Sequence, residues 1–225
     1  MNHSELTAHL FELQDLNYRQ LQIRTIPGMD PDSIIGVRTP DLRSIARKLK
    51  GTDLASEILS DTDHKYFEEY QIHAFLLSME KDIGKCFSEL DLFLPHVNNW
   101  ATCDQMIPKV FAKHHDILAG KALEWIGSSH TYTRRFGIKV LMDHFLDDDF
   151  DISYPEVVAS VDTDEYYLQM MIAWYFATAL TKQYDQTIHF MEDRRLSPVV
   201  HKMTVRKCLD SFRISEDRKS YIRSL

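Results

Sequence analysis

The chain has 225 residues, 44% of them hydrophobic and 11% aromatic, which is enough apolar material for a substantial core and excludes a disordered segment. No stretch approaches the roughly 18 consecutive apolar residues of a membrane-spanning helix, and a formal net charge of −8 excludes an indiscriminate nucleic-acid binder. Cys86, Cys103 and Cys208 are odd in number, far apart and outside any C-x-x-C, so neither a disulfide framework nor a zinc cluster is expected. The start Met1-Asn2-His3-Ser4-Glu5 lacks the basic and apolar blocks of a signal peptide, and the expectation is a cytoplasmic protein with reduced thiols.

The chain contains only seven Gly and seven Pro and shows no alternating strand pattern, so the spacing predicts helix after helix. The first is expected over residues 4–24, ended by Pro27-Gly28-Met29-Asp30-Pro31. Thr39 reads as the N-cap of the next, with Pro40 at its first position and its end near Leu49. Further helices are expected over 53–60, 64–79, 82–94, 99–113, 115–127, 131–146, 155–161, 164–182, 184–192, 198–212 and 215–223, with Pro108 kinking or splitting the one at 99–113.

Charge is unevenly distributed along this series. Residues 194–225 hold nine Lys/Arg against three Asp/Glu, a net +6, so residues 1–193 carry −14. Residues 38–50 hold five basic groups and one acid, whereas residues 143–165 hold nine acids and no Lys or Arg. A polyanion would have to meet the basic segments and avoid the acidic one.

Helix starts at 64, 99, 131, 164 and 198 recur every 32 to 35 residues, the mark of an α-solenoid of helix-turn-helix pairs. Laying the pairs over one another puts Gln71, Asp104, Arg135, Gln169 and Lys202 in register, and these are expected to line one face. The expectation is one all-α domain over residues 1–225, a right-handed superhelix of HEAT-like (armadillo-type) repeats with a concave, partly basic cleft. Its N-terminal helices would occupy 1–60 and its helix-pair repeats about 64–225.

Asn99-Trp100-Ala101-Thr102-Cys103-Asp104 is the stretch that carries chemistry. If Asn99 caps a helix beginning at Trp100, the indole and the carboxylate lie one turn apart on one face, their Cβ atoms roughly 5–6 Å apart. The same pattern also describes a buried Trp with an acid near a helix start.

Together with Gly36-Val37-Arg38-Thr39-Pro40-Asp41-Leu42-Arg43, Tyr132-Thr133-Arg134-Arg135 and the segment from Tyr166 to Trp174, this stretch resembles the AlkD-like DNA alkylation repair proteins, a family of HEAT-like repeats containing monofunctional DNA glycosylases. The resemblance covers nearly the whole chain. It implies that Asp104 is the catalytic aspartate, Trp100 its partner, Arg135 the arginine that holds the DNA backbone near the lesion, and Trp174 the second tryptophan of the cleft. Tyr132 stands where well-studied members carry another tryptophan, and Met170 where they carry a lysine. The implied activity is release of 3-methyladenine- and 7-methylguanine-type bases from double-stranded DNA without base flipping; a monomer with no cofactor or metal is expected. Backbone contacts are expected from Arg38, Arg43, Tyr132, Arg134, Lys139, Lys202, Arg206 and Lys207.

A single carboxylate is chemically sufficient for that reaction. A purine alkylated at N3 or N7 already carries positive charge and leaves neutral, so no general acid is needed, unlike ordinary glycoside hydrolysis. What remains is an oxocarbenium-like sugar to stabilise and a water to orient. Two other classes remain open from sequence: a non-catalytic binder of unusual DNA structures, and a protein-binding scaffold, the common use of solenoids. Asp147-Asp148-Asp149-Phe150-Asp151 lacks the glycine and distal glutamate of a calcium loop, and His114-His115 and Asp143-His144 lack the spacing of a zinc site.

Overall fold

The computed structural model describes residues 1–26 and 28–225, so Pro27 of the expected first break lies outside the described residues. Among those residues every regular element is helical, and no helix is long and apolar enough to cross a membrane. Two compact units follow one another, Met1–His114 and His115–Leu225.

The first unit contains α1 (His3–Glu12), α2 (Leu16–Thr25), α3 (Thr39–Leu49), α4 (Asp53–Ser60), α5 (Phe67–Leu77), α6 (Ile83–Phe93) and α7 (Trp100–Gln105). Helix α5 is its centre: of its residues only Tyr70 escapes burial, because α3, α4, α6 and α7 all pack on it. Its buried polar side chains, among them Glu68, Gln71 and His73, are hydrogen-bonded within the unit. Leu6 and Leu10 of α1 join Leu42, Ile45, Leu54, Ile58, Ile72 and Phe75 in one core cluster.

The single helix expected over 4–24 is two helices. Asp15 caps α2 by accepting the Tyr18 N–H at 2.9 Å, and its own N–H donates to the Gly36 carbonyl at 3.0 Å, so the turn between α1 and α2 is fixed by a distant loop. The start of α3 also shifts by one residue. Thr39 is its first helical residue, Arg38 takes the cap position without a side-chain bond, and Pro40 falls in the first turn, where its missing N–H costs nothing.

The second unit contains α8 (His115–Ile126), α9 (Thr131–His144), α10 (Ser153–Ala159), α11 (Tyr166–Lys182), α12 (Tyr184–Thr187), α13 (His189–Glu192), α14 (Pro198–Asp210) and α15 (Glu216–Ser224). Helix α8 pairs with α9, and α11 lies between α9 and α14, so successive helices stack as in HEAT-like repeats. Trp125 of α8 is buried edge-on against Phe136 of α9, with ring centroids 5.1 Å apart. The helix expected over 184–192 is broken into α12 and α13, and α14 ends at Asp210, two residues short of expectation.

Candidate functional site

Asn99 caps α7 as its sequence position implies: its side chain accepts the Thr102 N–H at 2.8 Å and is itself buried. Helix α7 therefore starts at Trp100, and Trp100 and Asp104 share a face one turn apart. It has only six residues, because Met106 turns extended ahead of Pro108, and residues 109–113 form a separate 3-10 turn. Isolated, so short a helix would not persist. Three contacts hold it. Thr102 accepts a hydrogen bond from the buried Gln71 amide of α5 at 2.8 Å, the Trp100 indole N–H donates to the Thr25 carbonyl at 3.1 Å, and Gln105 accepts from Arg43 at 3.0 Å. Trp100 packs against the small core cluster of Ile26, Ile34, Phe67 and Ala101 and stays half-buried, as does Asp104.

Arg43 and Arg38, both expected at DNA, have different surroundings. Arg43 lies over the Phe75 ring at 4.2 Å and reaches Gln105, the neighbour of Asp104. Arg38 is exposed at the N-cap of α3, where it pairs with Asp15 at 2.7 Å and covers the Tyr18 ring at 5.0 Å. That pairing and the Tyr18 N–H, the larger influence, hold the Asp15 carboxyl below its ordinary value.

In the second unit, Arg135 of α9 is buried and donates to the Tyr167 carbonyl of α11. Lys207 of α14 is half-buried, with its ammonium 6.0 Å from the Trp174 ring centre. Burial, and then the positive charge of Arg135, push the Lys207 ammonium below its ordinary value. Arg135, Lys207 and Trp174 thus gather around the α9–α11–α14 stack. Trp174 interrupts the otherwise buried middle of α11 with 41% of its surface exposed. Tyr132 and Arg134 lie in the first turn of α9, capped by His130, with the Arg134 guanidinium near the Asp162 carbonyl. Lys139, two turns along, is buried and paired with Asp143 at 2.6 Å. Lys202 and Arg206 are exposed on α14.

The five-residue polar row does not line one solvated face. Gln71 and Gln169 are buried, the first bonded to Thr102 and the second to the Thr163 carbonyl at 2.9 Å, while Lys202 is exposed. An amide at a repeat interface satisfies a neighbour's backbone or hydroxyl, a use that register along the sequence does not distinguish from surface exposure. The acidic loop after α9 is tied up in pairs, Asp147 with Lys182 and Asp149 with His115, each at 2.6 Å. Among the described residues there is no group of three or more His, Cys, Asp or Glu arranged to hold a metal ion.

Sequence reasoning did not single out Gln105, which sits in plain view beside Asp104, or Phe212. Because the helix was expected to reach 212, Phe212 read as a helix end. Instead Ser211 caps α14, and the Phe212 side chain is fully exposed beside Trp174 in a groove of about 420 Å3.

Stacked helices, with a capped aromatic-carboxylate turn in one unit and Arg135, Lys207 and Trp174 gathered in the other, define a helical-repeat protein. The family model for DNA alkylation repair enzymes matches residues 6–208, and the chain belongs to that family, whose partner is DNA. A search of curated proteins returned no match.

Proposed function

We propose that the protein is a DNA glycosylase that hydrolyses the N-glycosidic bond of cationic N3- or N7-alkylated purines in duplex DNA, with Asp104 as the catalytic carboxylate. The observation that carries this reading is the capped, three-point-anchored α7, which presents Trp100 and Asp104 from one face. Membership of a DNA alkylation repair family supports it.

As the C1′–N bond breaks, its electron pair goes to the purine and neutralises the ring charge, so the base leaves without protonation. The positive charge that develops on the deoxyribose faces the Asp104 carboxylate. A charge pair at about 4 Å with an effective dielectric near 20 is worth about 4 kcal/mol, roughly a thousandfold in rate. Water then adds to C1′ with Asp104 orienting it, and its proton is lost to solvent through the carboxylate. The products are a free alkylpurine and an abasic site. The Trp100 ring would lie along the sugar, where an electron-rich face favours partial positive charge. In keeping with the resemblance, Trp174, Arg135 and Lys207 are assigned to contacts with the DNA, the two cations to its phosphates.

The test is release of 7-methylguanine and 3-methyladenine from alkylated duplex DNA at low salt. Wild-type protein should release both, and Asp104→Asn should be slower by about a thousandfold. Equal release by the folded variant would remove Asp104 from the mechanism, and no release by the wild type would overturn the glycosylase reading.

A further inference from the structure

The groove between α11 and the end of α14 joins two residues already assigned to DNA, Trp174 and Lys207, to others that the proposed hydrolysis does not use. Its lining includes Trp174, Thr178, Lys207, Asp210, Phe212 and Arg213, all within the second unit. Phe212 has a relative exposure of 102%, a ring held out from the protein with nothing covering it. A lone exposed apolar side chain is ordinary, but here a second exposed ring, that of Trp174, shares the groove. Two cations stand with the rings, Arg213 exposed at the rim and Lys207 half-buried against the indole.

We propose that this groove binds an unpaired DNA nucleotide, its base stacked on the Trp174 and Phe212 rings and its phosphate held by Lys207 and Arg213. The inference deepens the glycosylase reading and rests on it only for DNA as the partner. The rings argue for an unpaired base, since a paired base has both faces already covered within the duplex and offers a protein ring nothing to stack on. The cations argue against an apolar peptide, which would bury Lys207 further without supplying an anion. The low ammonium value of Lys207, set by burial and by Arg135, marks a positive charge that gains from an incoming phosphate. Asp210 is the single carboxylate in the lining, and it faces the base rather than the phosphate in this arrangement, where it can accept from a ring N–H or an exocyclic amino group.

The test compares binding of a labelled single strand of about 12 thymidylates with binding of an undamaged duplex of the same length, using the full chain. Phe212→Ala removes a side chain that packs on nothing, so the fold should be untouched. It should weaken single-strand binding by about tenfold, while duplex binding changes by less than about twofold and Phe212→Trp restores the single-strand affinity. Unchanged single-strand affinity in Phe212→Ala, an equal loss on the duplex, failure of Phe212→Trp to restore it, or no single-strand binding by the wild type would each overturn the proposal. Alkylpurine release measured on the same samples separates the two readings, because undamaged oligonucleotide binding requires no excision.

Discussion

Gln105, the residue after Asp104, accepts a hydrogen bond from Arg43 at 3.0 Å, and the same guanidinium lies over the Phe75 ring at 4.2 Å. Helix α3 thereby fixes the last turn of α7, the turn that aims the proposed catalytic carboxylate. Gln105→Leu keeps the volume and removes the acceptor. It should cost about 1 kcal/mol of stability in urea unfolding. Single-turnover release of 7-methylguanine should slow by about three- to tenfold with little change in substrate affinity, because a carboxylate held less firmly loses transition-state stabilisation before it loses binding. An unchanged rate would show that α7 needs no support from α3.

Helix α5, on which α7 packs, carries a buried carboxylate that no sequence motif announced. Glu68 of α5 accepts the N–H groups of Ile35, Gly36 and Val37 at 3.0, 2.7 and 3.2 Å. Burial raises its pKa, opposed by those three bonds. Gly36 sits at φ +98°, and a Cβ there would come within 2.5 Å of the Arg19 Cβ and 2.8 Å of the Asp15 carbonyl. Glu68→Leu leaves three buried donors without an acceptor and should destabilise by about 3 kcal/mol or more, while Gly36→Ala should cost at least about 2 kcal/mol through strain and overlap. Thermal unfolding midpoints at the wild-type value in these variants would refute this account of the loop.

Acid sensitivity should come from a histidine pair in the first unit. His64 Nε2 and His73 Nδ1 are 2.9 Å apart, and the His73 ring stacks on Phe93 at 3.7 Å. Burial, then the neighbouring His64, pushes His73 down to about 3; burial also lowers His64, opposed by Glu69 and Asp61. Folded values below the unfolded value of about 6.5 mean that this stability is fully present above that pH and is lost as pH falls below it. At pH 5 His73 alone should cost about 2 kcal/mol relative to pH 8. Urea unfolding at both pH values checks this: His73→Leu should lose about 2 kcal/mol less on acidification than the wild type, and equal losses would dismiss the pair as the source.

The sequence by itself determined the helical series, the repeat period and the cap that starts α7 at Trp100. These depend on neighbours in the chain: Asn99 reaches an N–H three residues on, and a period of 32 to 35 residues is visible without knowing what packs on what. The family, too, was legible in the order and spacing of short motifs spread over most of the chain, and the match over residues 6–208 bears that out. Only the tertiary structure decided how each polar group is used. Asp15 breaks the first helix because the Gly36 carbonyl comes to its N–H, Gln71 is buried because Thr102 meets it, and Arg135 turns onto a carbonyl 32 residues away. Phe212 is exposed because α14 stops at Asp210. The cost of burying a charge or an amide depends on which partners the fold brings to it, and for these residues the partners lie on other helices, beyond the reach of local pattern.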